Sequence, residues 1–164
     1  MTTSEVKVCT LPASELSAYC EHLLRLDPRS RHGRFGWAMD DNGIQTHCLR
    51  IAARGISVLV ARVNNAVRAG IEIWPVSKGS AEMVFSVEGD WRNRGLASSL
   101  ICEAISEANG RDIPSLEMEL DGFNPVVLHL IEKFGGCSHG CEGVRGIIAT
   151  FPIKPRTMNE RQLA

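Results

Sequence analysis

The 164-residue sequence predicts an α/β (α+β) domain with a mixed, mainly antiparallel central sheet flanked by helices, in the order β-α-α-β-β-β-α-β-α-β. Three observations carry that class. Apolar runs separated by short turns between Ser57 and Val87 read as a meander of antiparallel strands. A long amphipathic pattern from Leu96 to Asn109, closed by Gly110, follows at once. From there strand and helix alternate, which adds strand-helix-strand units to the antiparallel region.

The first strand is Val6 to Thr10, and Leu11-Pro12-Ala13-Ser14-Glu15 leads into a helix with Leu16, Tyr19, Leu23 and Leu26 at helical spacing. Proline and two glycines break the pattern from Asp27 to Gly36, which reads as a long surface loop before a second helix around Ile44 to Ala53. Ser57 to Val63 and Val67 to Trp74 flank an Asn64-Asn65 turn as a hairpin, with Pro75 ending the second strand. After Lys78-Gly79 the third strand runs from Ala81 to Val87. Pro114 introduces Ser115 to Leu120, and Asn124-Pro125 opens a helix through Phe134 that Gly135-Gly136 stops. Val144 to Ile153 is the last strand. One domain over residues 1–153 and a polar tail over 154–164 are expected, without repeats or linkers.

Hydrophobic residues make up 44% and charged residues 23% of the chain, with a net charge of -1, which argues against general nucleic-acid binding. A chain of this length buries roughly 70% of its unfolded surface on folding and needs no staple. Its six cysteines, Cys9, Cys20, Cys48, Cys102, Cys137 and Cys141, are scattered, and most read as small buried hydrophobes. The start of the sequence lacks a signal-peptide pattern and no apolar run is long enough to span a bilayer, so a cytoplasmic location is expected. Cys137-Ser138-His139-Gly140-Cys141 offers three thiol or imidazole groups and no second cluster, so a glycine-rich turn and no metal are expected. Trp37, Trp74 and Trp91 read as packing residues, with Trp91 placed to shield the following turn.

The chemistry concentrates between the third meander strand and the long helix. Arg92-Asn93-Arg94-Gly95-Leu96-Ala97 occupies a turn where the first N–H groups of a helix lack intrahelical partners and face the positive end of its dipole. Gly95 and Ala97 are small enough for the main chain to approach a pyrophosphate, and Arg92 and Arg94 add charge. A plain strand-to-helix turn with two solvated arginines is the alternative. No G-x-G-x-x-G follows the strand and no Gly-Lys-Ser/Thr ends the turn, so dinucleotide and P-loop readings fail.

The run Phe85-Ser86-Val87-Glu88-Gly89-Asp90-Trp91-Arg92-Asn93-Arg94-Gly95-Leu96-Ala97 resembles the acetyl-CoA-binding motif of GNAT-type N-acetyltransferases, written Q/R-x-x-G-x-G/A. Asn124-Pro125 resembles the asparagine that contacts the pantetheine arm in that family, and Phe134-Gly135-Gly136 resembles its Leu-Gly-Phe helix end. The resemblance covers roughly Val58 to Gly136 and implies a GNAT-like fold that uses acetyl-CoA as acyl donor to an amine acceptor.

It further implies that the strand ending at Val87 splays from its neighbour, so that the main chain of Phe85, Ser86 and Val87 meets pantetheine and the thioester carbonyl. The pyrophosphate would lie against Arg92, Asn93, Arg94, Gly95, Leu96 and Ala97, with Ser98 adding a hydroxyl. An attacking amine must be neutral, and Glu82 and then Glu72 are the carboxylates placed to take its proton. Each has the alternative reading of a solvent-face residue or an arginine's ion-pair partner. The family's tyrosine general acid is replaced by Ile131, and His129 is the nearest substitute on that helix. Homodimerisation is a further expectation of the resemblance.

By the same resemblance the loop carrying Arg29, Arg31, His32, Arg34 and Phe35, with Arg25 upstream, borders the acceptor and suits an anionic one. The plain alternative is a solvated basic loop offset by Asp27, Asp40 and Asp41. Two other functions compete with catalysis. One is an acyl-CoA-binding sensor or scaffold without turnover, motivated by Ile131. The other is a nucleic-acid-associated protein, which the net charge opposes.

Overall fold

The computed structural model describes residues 5–77, 79–120, 124–140 and 146–153. The tail at 154–164 and Cys141 lie outside the described residues, as do residues 144 and 145 of the last expected strand. The elements are β1 (Val6–Thr10), α1 (Leu16–Leu24), α2 (Pro28–Phe35), α3 (Asp41–Arg54), β2 (Ser57–Val63), β3 (Ala66–Ser77), β4 (Ser80–Val87), α4 (Leu96–Gly110), β5 (Ser115–Leu120), α5 (Pro125–Lys133), β6 (Cys137–Gly140) and β7 (Ile147–Pro152). One sheet joins the strands in the order β1-β2-β3-β4-β5-β7-β6. Its ladders are antiparallel except between β4 and β5, so the expected mixed, mainly antiparallel sheet flanked by helices is what forms.

Helices cover both faces, which is why Ser57–Val63 reads as an almost continuous apolar run. Leu59, Ala61 and Val63 of β2, with Ile71 and Ile73 of β3, enter one core with Leu100, Ile101 and Ala104 of α4. Val58 and Val60 turn to the other face and meet Tyr19 and Leu23 of α1 and Ile44 and Ile51 of α3. Period two in the strands thus divides the apolar residues between two cores.

Five expectations need correction. Trp37, expected to pack, is 59% exposed. The segment from Asp27 to Gly36 is a helix rather than a loop. Asp27 accepts from Ser30 N–H at 2.9 Å as its N-cap, Pro28 occupies the first turn, and Gly36 closes it at φ +80°. These punctuation residues are also helix boundary signals. Strand β3 continues past Pro75, which lies opposite Ala81; β2 has already ended its pairing at Ile73, so the missing N–H interrupts no ladder. The four exposed residues of β6 pair with β7 through the backbone, a strand with no apolar alternation to announce it. Among the described cysteines only Cys48 is buried, while Cys102 and Cys137 are exposed. Among the described residues no helix is long and apolar enough to cross a membrane.

Candidate active site

The parallel ladder between β4 and β5 is short. It pairs Ser80 with Ser115, Ala81 with Leu116 and Glu82 with Glu117, and then stops, although both strands continue. Glu88 N–H donates to Arg68 O at 3.0 Å on the β3 side. Antiparallel pairing alternates, so Ser86 and Val84 also direct their main-chain groups to β3, while Met83, Phe85 and Val87 direct theirs to the opposite side. That side is the gap where β5 has left. Phe85 and Val87 therefore present the expected main-chain edge, whereas the main chain of Ser86 belongs to the β3 ladder.

Beyond the gap the chain makes a short 3-10 turn at Gly89–Trp91 and enters α4. Asn93 at φ 57° and Gly95 at φ 80° adopt left-handed conformations, and the N-cap Gly95 supplies no side-chain cap. The first intrahelical bond here runs from Ser99 N–H to Gly95 O, so the N–H groups of Leu96, Ala97 and Ser98 precede the ladder. Around them Arg94 stacks over Trp91 at 4.6 Å and Arg92 donates to Ser30 at 2.7 Å. Lys133 of α5 reaches Ser98 Oγ at 3.3 Å, a third cation that no motif marks. Unpaired donors and positive charge at a helix start favour an anion there. Asn124 caps α5 by accepting from Val126 and Val127 N–H, leaving its amide N–H groups for other partners.

Glu82 and Glu72 occupy different environments on one face of the sheet. Glu82 is half-buried, opposite Trp74 on β3 and beside Glu117 on β5. Burial, followed by the nearby charges of Glu119 and Glu117, raises its carboxyl above the usual range. Glu72 is sealed from solvent. It accepts from Tyr19 Oη at 2.8 Å and Trp74 Nε1 at 2.7 Å, and lies 2.9 Å from His47 Nε2. Arg34 Nη2 stands 2.6 Å away in an ion pair outside good hydrogen-bonding angles. Burial alone would raise this carboxyl, but Arg34 and His47 hold it down to about 2. Tyr19 can sit there because β3 carries Gly70, where a Cβ would meet its ring at 2.5 Å.

A second buried carboxylate, Glu88, lies one strand step past Ser86. His22 of α1 places Nδ1 3.1 Å from Glu88 Oε1 and Nε2 2.9 Å from Ser86 Oγ. Arg25 Nε and Arg68 Nη1 also donate to Glu88, at 2.9 and 3.0 Å. Three arginines of the basic segment are thus committed to partners within the fold, while Arg29 and His32 are exposed: Arg25 serves Glu88, Arg34 serves Glu72, and Arg31 donates to the carbonyls of Leu24, Leu26 and Met39 and pairs with Asp41. Asp27 and Asp40 are helix caps. His22, His47 and Lys133 escaped the sequence reading, since each is a lone polar residue whose partners lie far along the chain. Only the burial side of the helix period places His22 with Tyr19 and Leu23.

Ile131, at the position of the family's tyrosine, is 1% exposed and fills the core rather than facing the gap, and His129 is exposed. A Cβ on Gly136 would lie 2.8 Å from Ile131, which shows how closely the helix end packs there.

No protein-family model matches the sequence, and no curated protein matches it significantly. Solved structures do match the fold. The GNAT domain of S. lividans PAT superposes with a TM-score of 0.76 at 15% identity, over 90% of each chain. Salmonella typhimurium yncA, solved with its cofactor acetyl-CoA, superposes with a TM-score of 0.72 at 15% identity, over 93% of this chain and 96% of that one. The Escherichia coli ribosomal-protein-S18-alanine N-acetyltransferase gives 0.68 at 18% identity, over 94% and 98%. With its splayed β4 and β5 and its uncapped α4, the chain has the fold of the GNAT-type N-acetyltransferase superfamily.

Proposed function

We propose that the protein is an acetyl-CoA-dependent N-acetyltransferase that transfers an acetyl group to a primary amine, on a small molecule or a protein, by direct attack on the thioester. The observation that carries this reading is the divergence of β4 from β5 after Glu82 and Glu117, which leaves the main-chain edge of Phe85 and Val87 unpaired by β5 and leads to the α4 N-terminus. The residues fit the donor. Phe85 and Val87 would hold the pantetheine amides and the thioester carbonyl, and Asn124 lies on the neighbouring helix. Arg92 to Ala97, Ser98 and Lys133 would hold the pyrophosphate. The bound donor supplies an activated acyl group, and these contacts fix its position.

Glu82 is the proposed base. Its raised carboxyl, half-exposed on the acceptor face, accepts a proton more readily than Glu72, whose oxygens are already committed to four side chains. With Ile131 in the core, the departing thiolate takes its proton from water. A cytoplasmic location and a homodimer belong to the same reading.

Calorimetric titration with acetyl-CoA and CoA, followed by a CoA-release assay over an amine panel, tests it. Micromolar binding with amine-dependent release supports the transferase. Binding without release would favour the acyl-CoA sensor, which the buried Ile131 supports; absence of binding by folded protein would remove both.

A further inference from the structure

His22 connects a hydroxyl to a carboxylate. Glu88 is held down to about 2 by His22, Arg68 and Arg25 against the rise that burial alone would cause, so it is ionised and accepts only. It therefore takes the hydrogen of His22 Nδ1, which leaves the Nε2 lone pair to accept from Ser86 O–H across 2.9 Å. The imidazole has no solvent exposure, and Tyr19 stacks on it with centroids 5.7 Å apart and planes inclined by 26°. Its tautomer and orientation are consequently fixed. A hydroxyl, a base within hydrogen-bond reach and a third group orienting the base are the parts of an activated nucleophile.

We propose that Ser86 is an acyl-accepting nucleophile, with His22 as its base and Glu88 orienting that base, and that the protein cleaves activated acyl esters and thioesters through an acyl-serine. This activity differs from transfer to an amine and does not need Glu82.

Ser86 Oγ bonds to the acyl carbon and passes its proton to His22 Nε2. The bond from that carbon to the alcohol oxygen or thiol sulfur breaks, and the leaving group departs with the bonding pair and recovers the proton from His22. Water then attacks the ester carbon and gives a proton to His22; the carboxylic acid leaves and Ser86 regains its hydrogen. The main chain of Val87, the next residue, faces the gap left by β5, and its N–H is the donor this proposal assigns to the oxyanion of an ester that reaches Ser86, itself 7% exposed, from that gap.

The charged neighbours bear on this. Arg25 and Arg68 hold Glu88 in place, and Arg25 and Arg34 oppose a positive charge on the ring, against the pull of Glu88. Burial lowers the His22 pKa first of all, which keeps the ring neutral and its lone pair available at pH 7. A purely structural role, pinning α1 to β4, would use the same three side chains but give Ser86 no reactivity.

The test uses the whole chain with p-nitrophenyl acetate. The expected result is nitrophenolate release that Ser86→Ala abolishes and His22→Asn slows by about 100-fold or more, with acetyl found on the Ser86 peptide after an early acid quench. Absence of release from wild-type protein, or release unchanged in the folded variants, overturns the proposal. Should a variant fail to fold, a fluorophosphonate probe on the wild type decides, since modification at Ser86 supports the inference and its absence refutes it. Acetyl-CoA binding is titrated in parallel: binding with an inert Ser86 removes this inference alone, and a reactive Ser86 without binding removes only the transferase reading.

Discussion

The hydroxyl of Tyr19 donates to Glu72 Oε1 at 2.8 Å with both residues sealed from water, and this bond ties α1 to β3. The same carboxylate receives His47 from α3 and Arg34 from α2, so three helices converge on one buried charge. Replacing Glu72 by Ala strands Arg34 without its counter-charge, and a cost of about 3–5 kcal/mol is expected. Tyr19→Phe removes one hydrogen bond to a charged group and should cost about 1.5–3 kcal/mol. Urea unfolding followed by circular dichroism measures both, and equal, negligible losses would contradict the assignment.

Acid should unfold the protein through Glu72 and Glu88. Unfolded, each titrates near 4.3; folded, each is held down to about 2. Between those values the unfolded chain binds more protons, so the stability they contribute is complete above about pH 5 and is lost as pH falls toward 2. The loss is on the order of 3 kcal/mol for Glu72 and smaller for Glu88, whose charge is better screened by solvent. His22 acts in the same direction, because burial holds its folded value below 6.5 and a penalty for its neutral state begins as pH drops past that point. The raised Glu82 works the other way, gaining stability as pH falls, but it is outweighed by the two depressed carboxyls, so denaturation midpoints should decline between about pH 5 and pH 3; a maximum near pH 4 would contradict this.

Gly95→Leu places a side chain at φ 80°, where no atom lies within 4 Å of a new Cβ. Space is available, so the fold should survive with a conformational cost of about 1–2 kcal/mol. The branched side chain projects where pyrophosphate would approach, and acetyl-CoA affinity is expected to fall at least about tenfold, which is about 1.4 kcal/mol. Titration calorimetry on the folded variant checks it.

Glu82→Gln keeps shape and removes the proposed proton acceptor. Its kcat with an amine acceptor should drop by about 100-fold, with acetyl-CoA affinity unchanged. A variant that retains full turnover would move the base elsewhere.

The sheet was largely legible from sequence because its strands alternate or run apolar between clear turns: Val6–Thr10, Ser57–Val63 and Ser115–Leu120 carry the boundaries expected of them. Helix α2 was hidden because Asp27-Pro28 and Gly36 mark loops and helix ends alike, and β6 because edge pairing there rests on backbone groups alone. The turn proposed to bind phosphate announces itself in consecutive residues. The buried networks do not, since Tyr19 and Glu72 lie 53 positions apart and His22 and Glu88 lie 66 apart. Period placed each on a face, but only the register of β3 against β4 sets Glu72 beside Val84 and Gly70 beside Ser86.

Where β4 parts from β5 past Glu82, the sheet acquires an edge in its interior. An unpaired strand edge is a template for any other extended chain. The acyl donor proposed for that gap would also shield it, which would make ligand supply and solubility a single property of this protein. Depletion of the ligand should then appear first as self-association, while the two cores are still intact.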